Sequence, residues 1–245
     1  DFVDRARALI GSAQKFVHLE TYILRPDAAG QLVLDLLTEV AQRGVEVRLL
    51  YDSIGSWSLR APHLQGLRAA GGKAEPYLPV LWRRRPFTLN LRNHRKLLVV
   101  DGETCLLGGR NVGAEYSTDR FGDGRWLDMM VEIEGPGVGR LHRVFVEDWY
   151  NATDEDLARQ DYFAPMAARG EDRIGIVPSG PDSEANPLAA ALLHLITVAR
   201  ESIDISTPYV IPDLVTMAAL RLAAARGVRV RIHTNGEESA ESVVL

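Results

Sequence analysis

The spacing of apolar and polar positions changes several times along the chain, and each change marks an element. Ala8-Leu9-Ile10 through Ala13 leads into Phe16-Val17-His18-Leu19-Glu20-Thr21-Tyr22, a run apolar enough for a buried strand. A helical stretch follows, and Arg43-Gly44-Val45-Glu46-Val47-Arg48-Leu49-Leu50 predicts a second strand that ends at Asp52. The same order returns late in the chain. Ala191-Leu192-Leu193 through Ala199 precedes Ser202-Ile203-Asp204-Ile205-Ser206-Thr207-Pro208, then come a helical stretch and Arg226-Gly227-Val228-Arg229-Val230-Arg231-Ile232. Each copy reads helix, strand, helix, strand, and Gly44 and Gly227 stand where a helix closes on a left-handed residue. Strands alternating with helices imply an α/β fold, a mostly parallel mixed sheet flanked by helices, here in two pseudo-repeated halves.

Between the copies the pattern is different. Leu97 to Val100 is a short, partly β-branched apolar run, Asp101-Gly102 is a tight-turn signal, and Thr104 to Leu107 supplies a second apolar run, so a β-hairpin is expected. Leu127 to Glu134 alternates as a strand, and Val138 to Trp149 takes helical spacing after the breaker Gly135-Pro136-Gly137. The polar stretch Asn151 to Asp172 reads as a linker. It divides the chain near residue 170 into a first half, 1–170, and the beginning of a second, 171–245.

At 46% apolar and 25% charged residues the composition is that of an ordinary globular protein, and a net charge of −5 argues against nucleic acid as the partner. Charge is unevenly placed, however. From Pro76 to Val100 there is no Asp or Glu, whereas Arg83, Arg84, Arg85, Arg92, Arg95 and Lys96 are all present, a field that would draw in an anionic substrate. Cys105 is the sole cysteine, which excludes an intrachain disulfide and reads as a buried structural thiol. No apolar run reaches the ~18 residues of a membrane-crossing helix; the nearest, Pro187 to Ala199, is interrupted by His194 and Thr197. No charged-then-apolar leader is present. Pro79-Val80-Leu81-Trp82 and Trp57 could meet a membrane interface or belong to the core.

The candidate chemistry is concentrated between residues 94 and 111. His94 and Lys96 are two apart, so on an extended segment they share a face. Asn111 lies just past the far strand of the hairpin and returns to the level of His94. An imidazole, an ammonium and a carboxamide at one end of a stiff ribbon form a plausible phosphate-handling site. No His-x3-His or Cys-x2-Cys pair occurs, nor any glycine-rich nucleotide loop, so neither metal nor nucleotide cofactor is expected.

The spacing His94-x-Lys96-x4-Asp101-x6-Gly108-Gly109-x-Asn111 resembles the signature of the phospholipase D superfamily. Leu89-Asn90-Leu91-Arg92-Asn93-His94-Arg95-Lys96, Trp126-Leu127-Asp128, Glu134-Gly135-Pro136 and Glu147-Asp148-Trp149 resemble its bacterial cardiolipin synthase branch. The resemblance implies a phospholipid substrate, a peripheral protein on the cytoplasmic face of the membrane, and phosphatidyl transfer or hydrolysis through a covalent phospho-histidine. His94 would be the nucleophile. Lys96 and Asn111, with Gly109 beside them, would hold the phosphate, and Asp128 would pair with His94. Asp101 carries the motif's name, but it lies at the opposite end of the strand from His94, so a structural role is expected of it. Glu20 would line the pocket or sit at the core edge.

In such proteins the leaving-group acid is a second motif histidine. Here 42 residues separate Asp52 from His94, and the same step from Asn235 reaches about position 277, past Leu245. His18, His63, His142, His194 and His233 are followed two positions later by Glu, Gln, Val, Ile and Asn, never by Lys. The second motif is therefore expected to be missing by truncation, leaving a monomer of this chain close to inactive. The alternatives are a superfamily nuclease completed by homodimerisation and a non-catalytic binding protein.

Overall fold

A computed structural model describes residues 2–78, 92–116, 126, 128–158, 160–180 and 186–234. The Arg83 to Arg85 cluster, the run Pro79 to Trp82, residues 89–91, Leu127 and Asn235 lie outside them. The chain forms two compact units, Asp1–Ile176 and Val177–Leu245.

The first unit contains α1 (Phe2–Ser12), β1 (Phe16–Thr21), α2 (Ala28–Gln42), β2 (Glu46–Asp52), α3 (Gln65–Ala69), β3 (Lys73–Tyr77), β4 (Leu97–Val100), β5 (Thr104–Gly108), β6 (Met130–Glu134) and α4 (Gly137–Thr153). Its six strands form one mixed sheet in the order β3-β2-β1-β4-β5-β6. The parallel part is β3-β2-β1, joined through helices; β4, β5 and β6 run antiparallel to their neighbours. The parallel strand β3 has no counterpart in the sequence reading. It is an edge strand with Lys73, Glu75 and Pro76, and at a sheet edge a proline costs no ladder hydrogen bond.

Side-chain alternation sorts the sheet into two faces. Val17, Leu19, Val47, Leu49, Leu98, Val100 and Leu106 pack with α1 and α2. Phe16, Leu50, Leu97, Val99 and Cys105 pack with Val138, Leu141, Phe145 and Trp149 of α4. Leu97 to Val100 serve both faces in turn, so the strand is fully buried and apolar without interruption. His18 and Glu20 share the parity of Phe16 and point toward α4.

The hairpin is present as expected. Glu103 N–H donates to Val100 C=O across Asp101 and Gly102, whose φ values of 53° and 72° are the left-handed pair of a type I′ turn. Gly44 closes α2 at φ 87°, and Gly227 closes the helix Leu214–Ala225 at φ 89°.

The second unit repeats the element order of the first. It runs α5 (Pro187–Val198), β7 (Ser202–Ser206), α6 (Leu214–Ala225) and β8 (Arg229–His233), with β7 and β8 paired in parallel. Ile196, Leu220, Ala223 and Val228 form its core. Among the described residues no helix is long and apolar enough to cross a membrane.

Candidate active site on the hairpin

The open end of β4 carries His94, Arg95 and Lys96 just before the strand begins. The His94 ring stacks on Tyr22, with centroids 3.8 Å apart and planes 18° from parallel. The Lys96 ammonium lies 5.3 Å from the centroid of the same ring and donates to the His94 carbonyl. One aromatic ring thus holds both groups, and His94 remains exposed.

Tyr22 is fixed in turn by the loop after β2. Asp52 accepts from Ile54 N–H at 2.9 Å and Gly55 N–H at 3.0 Å, which folds residues 52–56 into a tight turn. Ser56 Oγ donates to Tyr22 C=O at 3.0 Å and accepts from Leu24 N–H at 2.9 Å. Gly55 is needed there: a Cβ would sit 2.3 Å from Tyr22 O and 2.8 Å from two ring carbons.

The electrostatics suit phosphate chemistry. Burial and the Lys96 charge lower the His94 pKa, with Asp52 opposing them, so the imidazole is neutral near pH 7. Burial pushes the Lys96 ammonium down to about 8, with Asp128 opposing, so it remains charged at neutral pH. A neutral ring nitrogen can attack phosphorus, and the ammonium can hold a phosphate oxygen as a point charge.

Other motif residues have hydrogen-bond partners elsewhere in the fold. Asp101 sits at the far end of the hairpin, where its carboxylate accepts from Gln14, Lys15 and Phe16 N–H at 2.8–2.9 Å, tying the turn to the start of β1. Asn111 is 6% exposed; its Oδ1 accepts from Ile23 N–H at 3.0 Å and its amide faces Tyr116. It braces the chain after β1. Asp128 accepts from Met129 N–H at 2.7 Å, and its electrostatic partners are Lys96 and Tyr116. The carboxylate charge that opposes the lowering of the His94 pKa is that of Asp52. Gly109 provides the space for Asp128, whose carboxylate would lie 2.1–2.5 Å from a Cβ.

Glu20 is buried at 2% exposure, so it cannot line an open pocket. It belongs to a polar cluster under the site: Asn93 Nδ2 donates to Glu20 Oε1 and, at 3.1 Å, to Asp148 Oδ2, which also accepts from Arg95. Sequence reasoning gave Tyr22, Asn93 and Asp148 no role in the site. The available signal was position, since Tyr22 follows the carboxyl end of β1, where ligands of α/β sheets bind. Among the described residues no three His, Cys, Asp or Glu side chains gather as a metal would need.

A mixed sheet whose central hairpin presents a His-x-Lys pair beside a Gly-Gly turn defines a phospholipase D-like protein. Residues 6–149 match the family described as "Cardiolipin synthase, PLD-like domain", and the chain belongs to that family. It is 38% identical over 230 residues to a cardiolipin synthase of Geobacillus kaustophilus, covering 92% of this chain and 45% of that protein. It is 37% identical over 234 residues to the major cardiolipin synthase ClsA of Bacillus subtilis, covering 95% of this chain and 48% of that protein. The chain thus spans about half the length of these relatives. A phosphatidylserine synthase of Haemophilus influenzae shares the fold, with a TM-score of 0.69 at 18% identity over 94% of this chain and 58% of that one.

Proposed function

We propose that the protein transfers a phosphatidyl group from one phospholipid to a hydroxyl acceptor, a second lipid or water, through a phosphatidyl-histidine at His94. A ring nitrogen of His94 donates its lone pair to phosphorus, and the bond from phosphorus to the headgroup oxygen breaks as the alkoxide takes a proton. The acceptor hydroxyl then attacks the same phosphorus, loses its proton, and the P–N bond breaks to restore the imidazole. Two easier displacements replace one hard one. Lys96 neutralises the oxygens on which charge builds.

The observation that carries this reading is the Tyr22 ring with His94 stacked on it and Lys96 beside it, at the exposed end of a buried strand. Family membership supports the same chemistry. We assign the proton for the leaving oxygen to a histidine outside these residues, since no other His-x-Lys occurs in the sequence. A second copy of the chain or contiguous sequence could supply it. Trp57, 66% exposed, supports peripheral contact with the bilayer that holds the substrate.

Thin-layer chromatography after incubating the full-length protein with phosphatidylglycerol vesicles tests the proposal. Cardiolipin or phosphatidic acid should appear, persist in a chelator and be abolished by His94→Ala. Product formation by His94→Ala would refute it.

A further inference from the structure

Below His94 lies a group of buried side chains that the transfer chemistry does not touch. Glu20 on β1 and Asp148 on α4 are 2% and 5% exposed, and both accept from the single side-chain nitrogen of Asn93. Arg95 is the cation paired with them, through Asp148 Oδ2. Among the described residues, no hydrogen-bond donor reaches the buried Glu20 Oε2. An ionised carboxylate with one oxygen orphaned in the core is costly, and a second one beside it more so. A proton on Glu20 Oε2 removes both problems. It turns the orphaned acceptor into a donor, Asp148 is the acceptor next to it, and the cluster then balances one carboxylate against one guanidinium. Burial and the neighbouring Asp148 both push Glu20 well above the ordinary carboxylate range, in the same sense.

The cluster determines where His94 sits. Residues 92–96 precede β4: the β1–β4 ladder stops at Glu20 and Leu97, and backbone pairing from β5 ends with Gly108 N–H on Lys96 C=O at 3.3 Å, so among the described residues no strand pairing fixes residues 92–95. Asn93 does so instead. Its Nδ2 reads both carboxyls, its Oδ1 accepts from Arg95 N–H at 3.0 Å, and its N–H donates to Asp52 at 3.3 Å. His94 is the residue between Asn93 and Arg95, both anchored to the pair.

We propose that Glu20 and Asp148 share one proton as a neutral-plus-anionic carboxyl pair, and that this pair, read by Asn93 and Arg95, is the positioning device for His94. The consequence for rate rests on the transfer reading given above; the protonation state does not. Infrared difference spectroscopy of the 245-residue chain, wild type minus Glu20→Gln at pH 7, tests the state directly. A protonated-carboxyl C=O band present in wild type and absent in Glu20→Gln is expected, and its absence from wild type overturns the inference.

Positioning is tested in the full-length protein by the kcat for phosphatidyl transfer. Glu20→Gln keeps a neutral donor and retains most of the wild-type rate. Glu20→Met is expected to lower kcat about 10²-fold at unchanged KM, the scale of a small misplacement of a reacting group. If Glu20→Met does not fold, Asn93→Ser takes its place with the same expectation. A wild-type rate in the variant that removes the contact overturns positioning, and a Glu20→Gln as slow as Glu20→Met overturns the shared proton. If the transfer reading itself fails, no variant has activity to compare and the infrared result still stands.

Discussion

At the scale of single residues, the two groups to which we assign the chemistry need different charge states. His94 must be neutral and Lys96 charged, and their environments move each in the required direction or leave it there. The rate of transfer should therefore fall on the acid side as His94 protonates, and on the alkaline side as Lys96, at about 8, loses its proton. Lys96→Arg should move the alkaline limb upward, because guanidinium stays charged throughout; an unmoved limb would show that another group sets it. The pair itself was legible in the sequence, because two residues on an extended segment share a face. The contacts of Asn111 and Asp128 were not. A motif fixes spacing along the chain, but Asn111 is drawn inward by Ile23 N–H, a donor contributed from another strand's end. Likewise nothing in the spacing says that Asp52, 42 residues upstream, is the carboxylate whose charge opposes the lowering of the His94 pKa.

At the scale of elements, the hairpin is held by its far end. Asp101 combines a left-handed backbone with three amide hydrogen bonds to the start of β1, so its place in the motif is explained by the ribbon's rigidity. Asp101→Ala should destabilise the chain by roughly 2–3 kcal/mol in urea unfolding, the scale of losing charged hydrogen bonds and straining a positive φ. Asp101→Asn should cost less, because asparagine tolerates the left-handed region and keeps an acceptor. Equal midpoints for wild type and Asp101→Ala would contradict this. The hairpin, both helix-closing glycines and the β1–α2–β2 unit were readable from period and turn chemistry. Strand β3 was not, since its Lys, Glu and Pro carry no strand signal and its pairing comes from lying beside β2 at the edge.

At the scale of the whole molecule, stability and pH are tied through groups buried between the sheet and α4. His18 Nδ1 and His142 Nε2 are 2.8 Å apart and both rings are fully buried. Desolvation is the main cause that holds them at about 4 and about 3, far below the ordinary 6.5. Between pH 6.5 and about 4 the unfolded chain binds protons that the folded chain does not, so stability falls as pH falls, by about 1.4 kcal/mol per pH unit for each imidazole. Glu20 acts in the opposite sense: its raised pKa contributes stability below the ordinary carboxylate range that is lost as pH rises. With two imidazoles against one carboxyl, the 245-residue chain should be less stable at pH 5 than near pH 6.5, and its urea midpoint should drop over that range. His142→Phe should flatten that drop, and a midpoint constant over this range would refute the account.

The repeated helix-strand-helix-strand order is also a whole-molecule feature, present in both compact units. Only the first unit contains the His-x-Lys pair, and the central claim is that this pair forms a covalent bond to phosphorus. Acyl-labelled phosphatidylglycerol, rapid quenching of the full-length protein and peptide mass spectrometry test it most directly. The account predicts a phosphatidyl adduct on His94 that disappears in His94→Asn; turnover with the adduct on a different residue, or undiminished in His94→Asn, would contradict it.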